Sequence, residues 1–158
     1  AMSFPPFEFK QLVNEDWETS PFRARLETSR FFFVVFREDH EGAWRLDRCL
    51  FWAMPANEIE GPAKACWDET RKAIREGVEL HPYRDASGKL KVTNNLPGMA
   101  DNPIVHVRPH TSKAAYRFAD GTEIGDIARN AYELPDGRWM TRQSFWFNKG
   151  YLEHILGL

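Results

Sequence analysis

Arg30-Phe31-Phe32-Phe33-Val34-Val35-Phe36-Arg37 holds the longest apolar run in the chain, and its reading decides the fold class. With no polar residue between its two arginines it shows neither the stripe of a surface helix nor the alternation of a half-exposed strand. It is too short and too rich in branched and aromatic residues for a helix, which leaves a strand buried on both faces. Residues 44–52 then alternate, with Trp44, Leu46, Leu50 and Trp52 on one side and Arg45, Asp47, Cys49 and Phe51 on the other. That pattern predicts a second strand, paired with the first through a turn near Gly42. A strand buried on both faces needs cover, so the expectation is an α+β (or α/β) fold with a mixed central sheet flanked by helices.

Working outward, Phe7, Phe9, Leu12 and Val13 predict a short helix. Ser20 and Pro21 read as the cap and first position of another, running through Leu26. Asn57 and Glu60 have capping-box spacing, and Pro62 is expected to open the main helix. Cys66, Trp67, Thr70 and Ile74 share its apolar face and Gly77 ends it. Short strands are expected at Val78–His81 and Lys89–Thr93 around a turn at Asp85–Gly88, and again at Ile104–Val107. Pro135-Asp136-Gly137 predicts a turn between two more. Ser144 reads as the cap of a last helix, with Phe145, Lys149, Leu152 and Leu156 on one side and Gly157 at its end.

The chain has 158 residues, 42% apolar and 28% charged, without repeats or low-complexity segments, which points to one domain. The expected organisation is a tag residue (Ala1) and leader over 1–6, followed by a single domain over 7–158. The longest apolar run is far short of the roughly 20 residues that cross a bilayer. No signal-peptide pattern is present, and Cys49 and Cys66 read as buried free thiols of a reducing cytoplasm. At a net charge of −2, nucleic-acid binding would have to come from a local patch. His106 and His110 flank Pro109, which keeps them off one helical face, so neither a metal site nor a cofactor is expected in this domain.

No Gly-rich phosphate loop and no nucleophile elbow occurs. Metal-dependent nucleases need carboxylates for a divalent ion and a lysine beside the attacking water. Glu8-Phe9-Lys10 has that spacing without a preceding Asp, and in Gly77-Val78-Glu79-Leu80-His81 a histidine stands where lysine is wanted. A complete nuclease here would have to use Glu79 with Asp68 or Glu69. The richer region is 94–149, with His106, Arg108, His110, Lys113 and Arg117, then Arg138, Thr141, Arg142, Gln143, Asn148 and Lys149. Arginine and lysine neutralise phosphates, while arginine, glutamine and asparagine pair with base edges. Asp120, Glu123 and Asp126 interrupt the stretch.

Trp17-Glu18-Thr19-Ser20, followed by a short helix and the apolar strand, resembles the segment after the catalytic strands in MutH and its restriction-enzyme relatives. Asn94-Asn95-Leu96-Pro97, Asp101-Asn102-Pro103, His106-Val107-Arg108-Pro109-His110, Leu134-Pro135-Asp136-Gly137 and Gln143-Ser144-Phe145-Trp146-Phe147-Asn148-Lys149 resemble the C-terminal half of the Sau-three-AI type of restriction endonuclease. The resemblance runs from about Phe7 to Leu156. It implies a MutH-like fold, duplex DNA with a GATC-like site as partner, and a non-catalytic regulatory role in bacterial restriction-modification. It further implies a catalytic nuclease half or a second copy of the chain as partner, with Mg²⁺ in the catalytic half. Arg25, eight residues after Trp17, falls where MutH has a further catalytic lysine, so a cation persists there. The resemblance assigns DNA contact to Arg108, His110, Lys113, Thr141, Arg142 and Gln143; Arg25, Arg138, Asn148 and Lys149 complete the expected DNA-binding set.

Overall fold

The computed structural model describes residues 2–158, so the expected tag residue Ala1 lies outside the described residues. The apolar run folds as a strand, but in the open. β1 (Phe31–Glu38) pairs antiparallel with β2 (Trp44–Trp52) around a turn that Gly42 makes at a φ of 80°. The inner face packs, with Phe31 and Trp52 against Phe147 and Val35 buried. The outer face stands in solvent: Phe51 is 81% and Trp44 68% exposed, and Phe32, Phe36 and Leu46 are each more than half exposed. The expectation of burial on both faces fails because β1 and β2 form a sheet of their own with nothing over the outer side. A register shift between Val35 and Phe36 also splits the expected apolar side of β2. It turns Trp44 and Leu46 onto the face of Cys49 and Phe51, away from Leu50 and Trp52. Cys49 is therefore exposed, contrary to expectation, whereas Cys66 is buried.

Helices α1 (Phe9–Leu12) and α2 (Pro21–Thr28) follow local chemistry: Ser20 Oγ accepts from the Arg23 amide at 3.2 Å, with Pro21 at the first position. The main helix differs from expectation at its start. It runs as α3 (Ala56–Glu58), a wide π-turn over Ile59–Ala63, then α4 (Lys64–Glu76). Pro62 sits inside the π-turn instead of opening the helix, because it lacks the amide that a regular turn needs. Glu60 makes no capping box. Its carboxylate accepts from Trp17 Nε1 at 2.7 Å and Arg23 Nε at 2.8 Å, tying α2 to the helix. Cys66, Trp67, Thr70 and Ile74 are buried as their spacing predicts, and Gly77 ends α4 at a φ of 97°.

The remaining strands form small ladders. β3 (Leu80–Arg84) pairs with β4 (Leu90–Asn94); β5 (Val105–Pro109) pairs with the last strand of the chain. β6 (Tyr116–Arg117), β7 (Glu123–Ile124), β8 (Ala131–Glu133) and β9 (Trp139–Thr141) form one sheet in the order β7-β6-β9-β8, with α5 (Ile127–Asn130) beside it. Every pairing among the described residues is antiparallel. The fold is α+β; separate antiparallel ladders replace the expected mixed central sheet.

β10 (Gln143–Phe147) corrects another expectation. Ser144 does not cap a helix, because Phe145 and Phe147, two residues apart, both reach the core, which only an extended backbone allows. The last helix, α6 (Lys149–Leu156), begins after Asn148 and ends at Gly157. One edge of β10 carries β5. The other carries the expected leader: the Phe4 amide donates to Phe145 O at 2.9 Å and the Phe7 amide to Gln143 O at 3.1 Å. Phe4 is buried against Phe22 and Phe147, so from Ser3 onward this segment belongs to the sheet.

Candidate nucleic-acid interface

Alternation gives the β5–β10 ladder two unlike faces. Val105, Val107, Phe145 and Phe147 point into the core. His106, Arg108, Ser144 and Trp146, as cross-strand neighbours, form the other face. The Arg108 guanidinium lies over the Trp146 ring, 4.5 Å from its centroid. Just past β5, the His110 amide donates to Arg142 O at 2.8 Å, and Ser144 Oγ lies 2.8 Å from His110 Nδ1. Arg142 in turn lies over Tyr132 at 4.5 Å, with its Nε buried and without a hydrogen-bond partner among the described residues; Trp146 Nε1 is in the same state. The structure thus gathers Arg108, His110 and Arg142, with Lys113 exposed on the loop that leaves His110.

Charge bookkeeping separates these cations from their neighbours. Among the described residues Arg25, Arg108, Lys113 and Arg142 make no ion pair, while the acids that interrupt the stretch are occupied. Glu123 pairs with Arg117 at 2.6 Å, Asp126 accepts from the Arg129 amide at the start of α5, and Asp120 accepts from the Thr122 amide. Aromatic rings hold Arg108 and Arg142 without neutralising them.

Other expected contacts are structural. Thr141 is buried: its hydroxyl accepts from the Ala115 amide at 2.9 Å and donates to Ala115 O at 3.1 Å. Gln143 is buried and donates to Thr141 O at 2.9 Å. Arg138 binds Asp136 at 2.7 Å and Val78 O, closing a turn. Asn148 is buried between Asn102 O, to which its Nδ2 donates, and His106 Nδ1, which donates to its Oδ1 at 2.6 Å. Thr141, Gln143 and Asn148 do not reach a ligand surface, because their polar atoms are spent on partners in the interior, and half-buried Arg138 is held by its own ion pair. Lys149 is exposed on α6 beside Glu153, at 3.4 Å. Arg25 projects from α2 and lines a cavity that Tyr132 and Phe145 also line. Burial, with Arg108 adding to it, holds His106 below the ordinary histidine range despite the Asn148 bond, so it is a neutral strut.

The nuclease-like stretches are not gathered into a site. Lys10 pairs with Glu133 at 2.6 Å, Asp68 with Lys64 at 2.6 Å, and Glu79 lies on the surface 3.4 Å from His81. Among the described residues, no three His, Cys, Asp or Glu side chains converge as ligands for a metal.

No protein-family model matches the sequence. The type II restriction enzyme Sau3AI of Staphylococcus aureus does: over 166 aligned positions the identity is 37%, covering 97% of this chain. The chain is Sau3AI-like. It spans about a third of that relative's length, 34%. No helix is long and apolar enough to cross a membrane among the described residues. Beside this resemblance, the structure adds residues that sequence reasoning missed: Trp146 and Tyr132, which carry the unpaired arginines, and Arg129, exposed at the end of α5 next to Asn130, whose carbonyl accepts from the Arg142 amide at 2.9 Å. Reading 143–147 as a strand would have exposed the first, by placing Trp146 on the face opposite Phe145.

Proposed function

We propose that the chain is a non-catalytic DNA-recognition domain of a Sau3AI-type restriction enzyme, binding duplex DNA at a GATC-like site through the outer face of β5–β10 and the loop after it. The observation that carries this is the pair of unneutralised arginines, Arg108 and Arg142, held in place by Trp146 and Tyr132. A guanidinium pre-oriented on a ring and left without a carboxylate is poised for a phosphate or a base edge. His110 and Lys113 extend the contact, and a catalytic half with Mg²⁺, or a second copy of the chain, supplies the remaining parts of the enzyme. One observation favours a second reading, a scaffold domain: the exposed aromatic face of β1–β2 has the character of a protein contact.

Fluorescence anisotropy with a GATC duplex and a scrambled one, at two salt concentrations with and without Mg²⁺, tests the first reading, with products run on a gel. Selective binding without cleavage is expected. Arg108→Ala and Arg142→Ala should each weaken it: a lost phosphate contact lowers the salt slope by about 1, and a lost base contact costs about 1–3 kcal/mol on the preferred site only. No binding at low salt leaves the scaffold reading; Mg²⁺-dependent cleavage overturns the non-catalytic one.

A further inference from the structure

A cavity of about 330 Å³ opens beside the N-terminal segment, α1, α2 and β8. Its walls are rings. Phe22 and Phe145 lie parallel at 4.1 Å and 15°, Phe7 leans on Phe145 at 5.0 Å, and Tyr132 closes one side. Buried Phe22 and Phe145 back the cavity, while half-buried Phe7 and Tyr132 leave ring surface on it for stacking. The rim is polar, with Gln11, Glu8, Glu15 and Arg25. Arg25 is exposed and makes no ion pair among the described residues. Burial raises the Glu15 carboxyl above its ordinary range, against the pull of Trp67 and Arg71.

Tyr132 joins this cavity to the interface, because the same ring lies under the Arg142 guanidinium. Rings for stacking, an amide and carboxylates for an edge, and a free cation for a phosphate are the elements that hold a nucleotide drawn out of a helix. Carboxylates accept from exocyclic amino groups, and glutamine pairs with adenine at two points. A thymine offers no such amino donor.

We propose that this cavity captures one extrahelical amino-bearing base, adenine before the others, from DNA held by Arg108 and Arg142, with Arg25 on its phosphate. The inference rests on the DNA reading above and adds the class of base. It is tested by anisotropy with three duplexes of one sequence: fully paired, carrying a single bulged adenine, and carrying a single bulged thymine. The adenine bulge is expected to bind about tenfold tighter than the paired duplex, and the thymine bulge to gain less. Phe7→Leu should bring both bulged-to-paired ratios to about one, and Gln11→Ala should remove the preference for adenine over thymine. Gln11 is exposed on α1, so that variant keeps the fold. Equal binding of all three duplexes by the unmodified chain overturns the proposal and leaves the DNA interface standing. So does an adenine gain that survives both substitutions, since DNA flexibility at the bulge would then explain it. Failure to bind any duplex overturns the DNA reading and this inference together.

Discussion

Two antiparallel ladders of similar chemistry have opposite fates in this molecule. β1–β2 and β5–β10 both carry runs of phenylalanine and tryptophan. β10 lies between β5 and residues 3–7, with its inner face in the core, while β1–β2 pairs only with itself and leaves Phe32, Phe36, Trp44 and Phe51 in solvent. Apolar content therefore decides that a strand forms, and its neighbours decide whether it is covered.

The contrast is sharpest in side-chain truncation. Phe145→Ala, which removes a ring stacked on Phe22, should cost about 3–5 kcal/mol in denaturant unfolding. Phe51→Ala should stay within roughly 0.5 kcal/mol, and equal losses would break the distinction. Thiol chemistry gives an independent check, since burial pushes the Cys66 thiol up to about 12 and shields it. A thiol reagent should titrate Cys49 in the native protein and Cys66 only after unfolding.

Next in size is the polar side of β5–β10. Asn148→Ala orphans the groups it joins, and should destabilise by about 1–3 kcal/mol without altering Arg108 or Arg142. A double variant with His106→Ala should lose less than the sum of the two, and strict additivity would dissolve the network. The smallest effect is on pH dependence. His106 titrates below the ordinary histidine value in the folded state, so between its folded and unfolded values the unfolded chain binds more protons. Its contribution is complete above the unfolded value, falls as pH drops through that window, and levels off below it. His106→Gln should therefore show a smaller fall in Tm from pH 7.5 to 5.5 than the unmodified chain, and parallel falls would refute this.

Much of the fold was legible where chemistry is local. Ser20 caps α2, Gly77 stops α4, and Pro135-Asp136-Gly137 turns β8 into β9, because a hydroxyl, a missing side chain and a fixed φ act on their own neighbours. The Cys66–Ile74 stripe held for the same reason. The tilt between strand and helix at Gln143–Phe147 was not legible, since its bonds go to Val105–Pro109 and to residues 3–7. Arg108, His110 and Arg142 could be singled out as basic residues in a loop-rich stretch. Thr141, Gln143 and Asn148 look identical to surface residues in sequence; partners such as Ala115, 26 residues from Thr141, and Asn102, 46 residues from Asn148, draw them inside.

The seating of residues 3–7 along β10 has a temporal side. Residues 3–7 are bonded to residues 143–147, so during synthesis this segment must wait for β10 to emerge before it finds its partner, and such long closures form slowly. Until then Phe4 and Phe7 travel uncovered, and a nascent chain stalled before Gln143 presents both the N-terminal segment and the unpaired edge of β5 to whatever waits at the tunnel exit.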